Sequence, residues 1–298
     1  GLDFVVAFPY DEGGCGCPRC WPWGAKGYLR FCRLFSELAR ARYPGCRFIA
    51  GTWCFDVREE SDGEFDGLDA ALRADASWCD YLMTDAHGAY PEWPLRHGAP
   101  GGLPMINFAE ISMWGRFPWG GYGANPFPRR LVRIWGQSRH LLDGGLPYSE
   151  GRFEDINKIT TLRLFWEKTA DADTIMREYS HAAFGPAVVE EVTETIRLLE
   201  DNYPPEALDA GRADRALTLL QTAESRLDDQ ARTGWRWRLL MLRAIIDVEM
   251  VKSPAIVSTA RNAAYEELIE LYCAQTAQIA VLPQAKSAYE RGLLQGPP

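Results

Sequence analysis

The sequence lacks any run of about eighteen consecutive apolar residues, which excludes a membrane-spanning helix. It also lacks an excess of positive charge, because 32 Lys and Arg stand against 41 Asp and Glu, giving a formal net charge of -9. A chain with this balance has no broad electrostatic attraction for nucleic acid or for an anionic membrane surface. The opening residues, 1–6, contain neither an initiating Met nor a basic targeting segment, so we expect a mature or trimmed sequence.

Several catalytic signatures are also missing. The chain has no phosphate-cradling G-x-x-x-x-G-K-S/T, no dinucleotide-binding G-x-G-x-x-G and no H-E-x-x-H zinc motif. It has only 4 histidines and no Ser-containing elbow, which argues against a hydrolase triad.

Cysteine is present in number but not in a paired pattern. Three of the 8 cysteines, Cys15, Cys17 and Cys20, form a tight C-x-C-x-x-C run, and the other five are scattered. This distribution is unlike a small secreted disulfide scaffold, and the unpaired pattern favours a cytoplasmic location. We expect the scattered cysteines to be buried apolar residues.

The amino-acid composition of the chain changes near Pro186. Nine of the eleven tryptophans lie before it, whereas apolar residues at helical spacing dominate after it. With 298 residues, the chain is long enough for two ordinary domains. We predict a catalytic β/α portion over residues 1–185 and a helical domain over residues 186–298.

Before Pro186, short apolar runs alternate with helical patterns, which indicates a parallel sheet or barrel. We predict strands at residues 2–8, 47–55, 80–84, 103–108 and 146–149, with helices over 25–43, 65–76 and 129–142. The predicted fold class is α/β: the C-terminal five βα units of a (β/α)8 TIM-type barrel, followed by an all-α domain. An incomplete barrel, in a chain that is a fragment, is one form of this prediction.

Each predicted strand ends in acidic residues. In a β/α barrel the carboxyl ends of the strands build the active site, so these acids are expected at one mouth. Aspartate after a strand also caps the following helix, and this alternative applies to Asp56 and Asp85. Glutamate is a poor capping residue, which favours function for the glutamates. The acids are Asp11, Glu12, Asp56, Asp85, Glu110 and Glu150.

The segment from Phe8 to Cys20 carries the sharpest chemical pattern. A strand leads into Asp11-Glu12, and Gly13-Gly14 then permits a tight reversal. Glycoside cleavage needs one carboxylic acid to protonate the leaving oxygen and a second group to stabilise an oxocarbenium-like state. Glu12 with the adjacent Asp11 suits the acid role, because a neighbouring carboxylate in general raises the pKa of a carboxyl group.

These residues resemble two groups of proteins. The Asp11-Glu12 pair at a strand end resembles the Asp-Glu pair of β-N-acetylhexosaminidases, which implies that Glu12 is the general acid and that Asp11 orients a substrate acetamide acting as nucleophile. The wider pattern is similar to mostly bacterial, uncharacterised glycosyl-hydrolase-like domains. Those domains share the C-x-C-x-x-C run and a later Tyr-x-Glu-Gly segment, which is Tyr148-Ser149-Glu150-Gly151 here, with Asp155 and Asn157. The hexosaminidase pattern has its glycines before the acid pair, whereas here they follow it.

Strand counting leaves a second mechanism open. If the strand at Tyr148 is the last of eight, the opening strand is the fourth and Glu110 ends the seventh. Many retaining glycosidases resemble this arrangement, with the acid/base after strand four and the nucleophile after strand seven. Glu12 would then be the acid/base and Glu110 the nucleophile, with carboxyl groups about 5–5.5 Å apart.

Aromatic residues near strand ends suit a sugar, because a sugar ring presents an apolar face of C–H groups. We predict that Tyr10, Trp53, Trp114 and Tyr148 contact substrate, and Trp119 and Tyr122 lie in the same Gly-rich aromatic loop as Trp114. The predicted polar substrate contacts are Asp56, Asp85, His87 and Asn107.

The C-x-C-x-x-C run supplies three thiolates in one short loop. Zinc takes four ligands, so Cys15, Cys17 and Cys20 with one further group would form a structural site. Free thiols are the alternative. We expect such a zinc to brace the loop that carries Glu12, and no cofactor to be required for catalysis.

Together these features predict a glycosidase that cleaves β-linked glycans, with N-acetylhexosamine among the candidate sugars. Glu12 and Asp11 are the primary catalytic candidates, and Glu110 or Glu150 supplies the second carboxylate. The alternative is a catalytically silent glycan-binding module on an incomplete barrel. Both readings predict a glycan partner and neither involves nucleic acid.

Overall fold

A computed structural model of the chain describes residues 1–10, 14–57, 62–86, 89–111, 125–149, 155–203, 207–254 and 257–272. The chain divides into two compact units. The sheet unit contains Gly1–Glu110 and Arg133–Pro147, and the helical unit contains Ile111–Val132 and Tyr148–Pro298. The predicted domain boundary between residues 185 and 186 stays a prediction.

Strands and helices alternate in the first half of the chain, as the sequence predicts. The strands are β1 (Phe4–Ala7), β2 (Arg47–Gly51), β3 (Tyr81–Ala86), β4 (Met105–Glu110) and β5 (Leu142–Tyr148). The helices are α1 (Gly27–Arg42), α2 (Glu64–Ala74), α3 (Glu92–His97) and α4 (Pro128–Ser138). The strands form one sheet in the order β1-β2-β3-β4-β5, and β1 to β4 pair in parallel. The α/β class with a parallel sheet is therefore confirmed.

One face of the sheet is covered by helices. Phe48, Leu82 and Met105 are almost fully buried and, because side chains alternate along a strand, point to the same side. The Phe35 ring of α1 meets the Phe48 ring edge-on, with centroids 6.0 Å apart. This face is the core of the sheet unit.

The opposite face is concave. Phe8, directly after β1, and Phe108 of β4 have ring centroids only 5.3 Å apart, although β2 and β3 lie between their strands. In a flat sheet, three strand spacings would separate their backbones by roughly 14 Å. The rings meet because the sheet curves towards this side.

Several predicted boundaries were wrong. β2 ends at Gly51 instead of running to Phe55, because the chain turns through Cys54 and Asp56, which have left-handed φ values of 62° and 55°. The helix expected to reach Leu142 ends at Ser138, and buried Leu142 begins β5.

The predicted apolar face of α1 was also partly wrong. Leu29 is buried there, but Phe31, Leu34 and Leu38 are 46%, 57% and 60% exposed. The buried positions of α1 instead include Tyr28 and Cys32.

The helical unit packs successive amphipathic helices. Its apolar stripes are buried as predicted, for example Val192, Ile196 and Leu199. The expected breaks are also confirmed, after residues 201 and 252. No helix in the described ranges is long and apolar enough to cross a membrane. The helices are α5 (Ile156–Trp166), α6 (Ala172–Phe184), α7 (Val189–Asp201), α8 (Ala210–Glu224), α9 (Asp229–Thr233), α10 (Trp235–Lys252) and α11 (Thr259–Tyr272).

Candidate functional site

Two of the predicted acids lie on the concave face of the sheet. Asp85 of β3 is in register with Phe108, and Glu110 lies two residues beyond Phe108 on the same side of β4. Asp85 and Glu110 are only 9% and 5% exposed. Buried carboxyl groups are uncommon and costly, so this placement at the carboxyl ends of parallel strands favours a role in a site.

Asn107 does not share that face. It precedes Phe108 on β4 and is in register with Thr84, so its side chain points to the helix-covered side. It is 4% exposed, and its Oδ1 atom has no hydrogen-bond partner among the described residues. The structure therefore separates Asn107 from Asp85 and Glu110.

A cavity of about 450 Å³ opens near the ends of β2 and β3. Asp56 and Asp85 both line it, together with Trp93 and His97 of α3, and their contact with a substrate stays a prediction. The Trp93 ring stacks on Phe65 with centroids 5.6 Å apart and an interplanar angle of 10°. An aromatic surface beside carboxylates is the combination that sugar sites use.

Sequence reasoning missed Trp93 and His97. The rings are four residues apart on one helix, with centroids 4.8 Å apart. The available signal was the four-residue spacing of two aromatic side chains in the segment between the third and fourth predicted strands. The helix was overlooked because Pro94 lies inside its six residues.

Asp56 performs the capping role that the sequence left as its alternative. Its carboxylate accepts hydrogen bonds from the backbone N–H groups of Glu64 (2.7 Å) and Phe65 (3.4 Å) at the start of α2. Glu64 Oε2 accepts in return from the Asp56 N–H at 3.2 Å. Burial raises the pKa of both carboxyl groups, and these backbone hydrogen bonds partly offset the rise.

Glu64 also holds the segment after β1. The Tyr10 hydroxyl donates to Glu64 Oε1, and the Gly24 N–H donates to the same atom at 2.6 Å. Tyr10 was predicted to contact substrate, and in the structure its hydroxyl is bound to Glu64. Sequence reasoning missed Glu64, since nothing in its local pattern distinguishes it from an ordinary first-turn glutamate.

The remaining predicted contacts are dispersed. Trp53 is half-buried in the turn after β2, and Tyr148 is 37% exposed at the end of β5. The predicted residues Asp11, Glu12, His87, Trp114 and Glu150 lie outside the described residues. The expectation that Glu12, Glu110 and Glu150 surround one pocket therefore stays a prediction.

The three clustered cysteines are close enough to hold a metal ion. The Sγ atoms of Cys15, Cys17 and Cys20 all lie within 4.8 Å of one another. Thiolates around one zinc, with Zn–S bonds of about 2.3 Å, are roughly 3.8 Å apart. A small movement of the three side chains would therefore allow all three Sγ atoms to bind one zinc ion. Hydrogen bonds, chiefly from the Cys15 side chain, lower the pKa of the Cys17 thiol to about 7, which favours its thiolate form.

Most of the scattered cysteines are buried, as the sequence predicts. Cys32, Cys46 and Cys79 are buried and Cys54 is half-buried. None of the seven cysteines in the described part of the chain forms a disulfide bond. Cys273 lies beyond the last described residue.

In the helical unit, Asn157 joins the two ends of the segment that follows Glu110. Its Nδ2 atom donates to the carbonyl oxygens of Ile111 (2.9 Å) and Asn125 (2.7 Å), and its Oδ1 atom accepts from the Phe127 N–H (2.8 Å). Asn157 is fully buried. The chain positions on either side of the Gly-rich aromatic stretch are thus fixed by one side chain.

A second buried residue supports this arrangement. Arg243 donates to the Asn125 side chain at 2.7 Å and forms an ion pair with Asp247 at 2.9 Å. Arg243 and Asp247 are both buried, so the pair depends on these hydrogen bonds to offset desolvation.

Comparisons of the chain with protein-family models, with curated proteins and with solved structures found no match. The resemblance to hexosaminidases and related glycosyl-hydrolase-like domains therefore stays a prediction. A functional assignment has to come from the chemistry of the residues described above.

Proposed function

We propose that the protein is a glycoside hydrolase that cleaves β-linked glycans, and that N-acetylhexosamine-containing glycans are the first substrates to test. The observation that carries the proposal is the pair of buried acids, Asp85 and Glu110, on the concave face beside Phe8 and Phe108. Glycoside cleavage typically uses a pair of carboxyl groups, and the active sites of β/α barrels lie at the carboxyl ends of their parallel strands.

We further propose that the sheet is part of a (β/α)8 barrel. The curvature that brings Phe8 to Phe108 supports this, because a barrel closes around one concave face. Phe4, on the edge strand β1, is 41% exposed. Leu34 and Leu38 of α1 are more exposed, at 57% and 60%. A neighbouring strand and helix of a barrel would cover these apolar side chains.

In this proposal Glu12 protonates the leaving oxygen and Asp11 assists it. The second group is either the substrate acetamide, held by Asp11, or a carboxylate, for which Glu110 and Glu150 are the candidates. Burial of Glu110 suits that role, because a carboxylate in a low-dielectric surrounding stabilises a developing oxocarbenium charge more strongly than it would in water. The cavity beside Trp93 supplies room for a neighbouring sugar ring.

The test measures turnover of aryl glycosides, with an aryl N-acetyl-β-glucosaminide included. Glu12→Gln should lower kcat/KM by about 100- to 10,000-fold, the usual contribution of such a group. Glu110→Gln should cause a comparable loss if Glu110 is the second carboxylate. Glu37→Gln, at an exposed position of α1, is the matched control and should leave turnover unchanged. Wild-type turnover by Glu12→Gln would overturn the assignment of the acid.

Two further outcomes separate the alternatives. If Glu110→Ala is inactive and sodium azide restores cleavage with a glycosyl azide of inverted anomeric configuration, Glu110 is the nucleophile. If Glu110→Gln keeps its activity on the N-acetyl substrate, the acetamide mechanism is favoured. Glycan binding without turnover by the wild type would identify a silent glycan-binding module.

We also propose that the metal suited to Cys15, Cys17 and Cys20 is zinc, in a structural role. The three Sγ atoms fit the softness and spacing that zinc prefers. Catalysis by the carboxyl groups needs no metal.

A further inference from the structure

The cysteine loop, residues 15–20, brings the thiols of Cys15, Cys17 and Cys20 close together. The N–H groups of Cys20 and Trp21 both donate to the Cys17 carbonyl oxygen at 2.9 Å, which folds the loop into a tight turn. Arg30 of α1 donates to Cys20 Sγ at 3.1 Å and to the Arg19 carbonyl oxygen at 2.9 Å. A guanidinium at that position offsets the negative charge that three thiolates would leave on a divalent ion.

The same loop continues directly into Trp23. The Gly27 N–H donates to the Cys20 carbonyl oxygen at 3.1 Å, and the Tyr28 N–H donates to that of Trp23 at 2.8 Å. A Cβ atom on Gly27 would lie 2.2 Å from the Trp23 ring and 2.9 Å from Cys20 Cβ. Cys20, Gly27 and Trp23 are therefore packed without free space between them.

Trp23 and Gly24 are linked to the chain on both sides of the Asp11-Glu12 pair. Trp23 Nε1 donates to the Pro9 carbonyl oxygen at 2.5 Å, and Gly14 lies so close that a Cβ atom there would be 2.5 Å from Trp23 Cγ. Gly24 and Tyr10 share the Glu64 carboxylate. The chain before and after the acid pair is thus attached to the cysteine loop.

We propose that Cys15, Cys17 and Cys20 bind one thiophilic divalent metal ion, and that this ion holds Pro9 and Gly14, on either side of the acid pair, in place through Trp23. The described residues supply three protein ligands, which leaves one coordination position for solvent or a further group. Metal binding stands independently of the proposed function. Only the consequence for catalysis rests on the glycosidase proposal.

The first experiment asks whether the metal binds. The full chain, purified in reductant without chelator, should carry one zinc by elemental analysis, and cobalt exchange should give a thiolate charge-transfer band. Cys17→Ser should lose both signals, and Cys54→Ser, outside the cluster, should keep them. If Cys17→Ser does not fold, removal of the metal from the wild type by a chelator replaces it. Wild type without zinc and without a cobalt band would overturn the proposal.

The second experiment asks whether the metal positions the acid pair. Hydrogen exchange in residues 4–14 and 20–24 should be roughly tenfold slower with zinc than without it, because both stretches gain protection from one constraint. Trp23→Phe lacks the donor to Pro9, so zinc should still bind but should no longer slow exchange before Gly14. Zinc binding with unchanged exchange in residues 4–14 of the wild type would overturn the coupling.

Activity provides a third, separable readout. If the protein is a glycosidase, zinc removal should lower kcat more than it raises KM, because the acid pair would be displaced while the aromatic cavity remains. If no glycoside is cleaved but zinc binds and slows exchange, the proposed function fails and the metal site stands. If glycosides are cleaved equally with and without zinc, the coupling fails and the function stands.

Discussion

At the scale of single residues, Glu64 is the group on which the site's surroundings depend most. Its carboxylate accepts from the Tyr10 hydroxyl and from two backbone N–H groups, those of Gly24 and Asp56, while its own side chain is fully buried. It therefore links the segment after β1, the turn after β2 and the start of α2.

Replacement of Glu64 by Gln should destabilise the protein. The amide nitrogen would have to face a donor, either at Asp56 or at the Gly24 and Tyr10 side, and a buried N–H would be left unpaired at a cost of about 1–3 kcal/mol. Urea unfolding of Glu64→Gln against Glu37→Gln, an exposed change of the same chemistry, measures the difference. Equal midpoints would show that the Glu64 contacts contribute nothing to stability.

Asp171 gives a pH-dependent prediction. Hydrogen bonds from the Thr174 N–H (3.0 Å) and hydroxyl (2.8 Å) lower the pKa of this N-cap carboxyl below its ordinary value of 3.8. A lowered pKa means that the stabilisation is present above pH 3.8 and is lost as the pH falls through the folded-state pKa.

We therefore expect Asp171→Ala to cost about 1 kcal/mol of unfolding free energy at pH 7 and progressively less below pH 3.8. Denaturant unfolding at several pH values measures this. Asp173→Ala, in the same turn but without the capping bonds, is the control. A cost for Asp171→Ala that stays constant down to pH 2 would contradict the capping account.

A site residue could be predicted from the sequence when the pattern that identifies it lies within a few neighbouring positions. The tight C-x-C-x-x-C spacing identified the cysteine cluster, since three thiols within a stretch of six residues cannot lie far from one another. Glu64 could not be identified. Its partner Asp56 lies eight residues earlier and reaches it only because the chain turns in a left-handed conformation at Cys54 and Asp56.

At the scale of helices and strands, Asn157 determines where two chain segments meet. Asn157→Ala would leave the Ile111 and Asn125 carbonyl oxygens and the Phe127 N–H without this partner in a buried setting. We expect a loss of about 3 kcal/mol, from several unsatisfied groups at 1–3 kcal/mol each, only partly relieved by water.

Urea unfolding checks this, with Asn262→Ala as the control, because the Asn262 side chain donates to the exposed Glu266. Asn157→Asp gives a second comparison: it keeps the acceptor for Phe127 and loses both donors, so it should also be destabilised. If Asn157→Ala unfolds at the same urea concentration as the control, the three hydrogen bonds do not hold these segments.

Periodicity predicted the existence of most elements and missed several of their ends. Alternating runs identified β1 to β4 and α1 to α2, because burial imposes a period of two or 3.6 residues. The start of β5 was missed, since Leu142 continues the apolar spacing of the preceding helix and only the turn at Ser138–Leu141 separates them.

At the scale of the whole molecule, curvature of the sheet is the feature that connects the fold to the proposed function. The sequence predicted acids at strand ends and a sheet that brings such ends together. It could not predict that β1 and β4 approach through Phe8 and Phe108, because that contact depends on the twist of two intervening strands.

The acids themselves divide into two groups. Asp85 and Glu110 are buried on the concave side, whereas Asp56 caps α2 and lines the neighbouring cavity. This division follows from which residues lie inside a strand and which lie in the turn after it. If a predicted strand end is wrong by a few residues, as at β2, the prediction cannot tell which acids lie inside the strand and which lie in the turn after it.

The most direct measurement of the central claim is the separation of the Glu12 and Glu110 carboxyl groups in a crystal structure of the protein soaked with a non-hydrolysable β-glycoside. The account predicts that both carboxyl groups face the bound sugar, and that they lie about 5–5.5 Å apart if Glu110 is the nucleophile of a retaining enzyme. Glu12 and Glu110 on different sides of the molecule, with neither near the sugar, would contradict it.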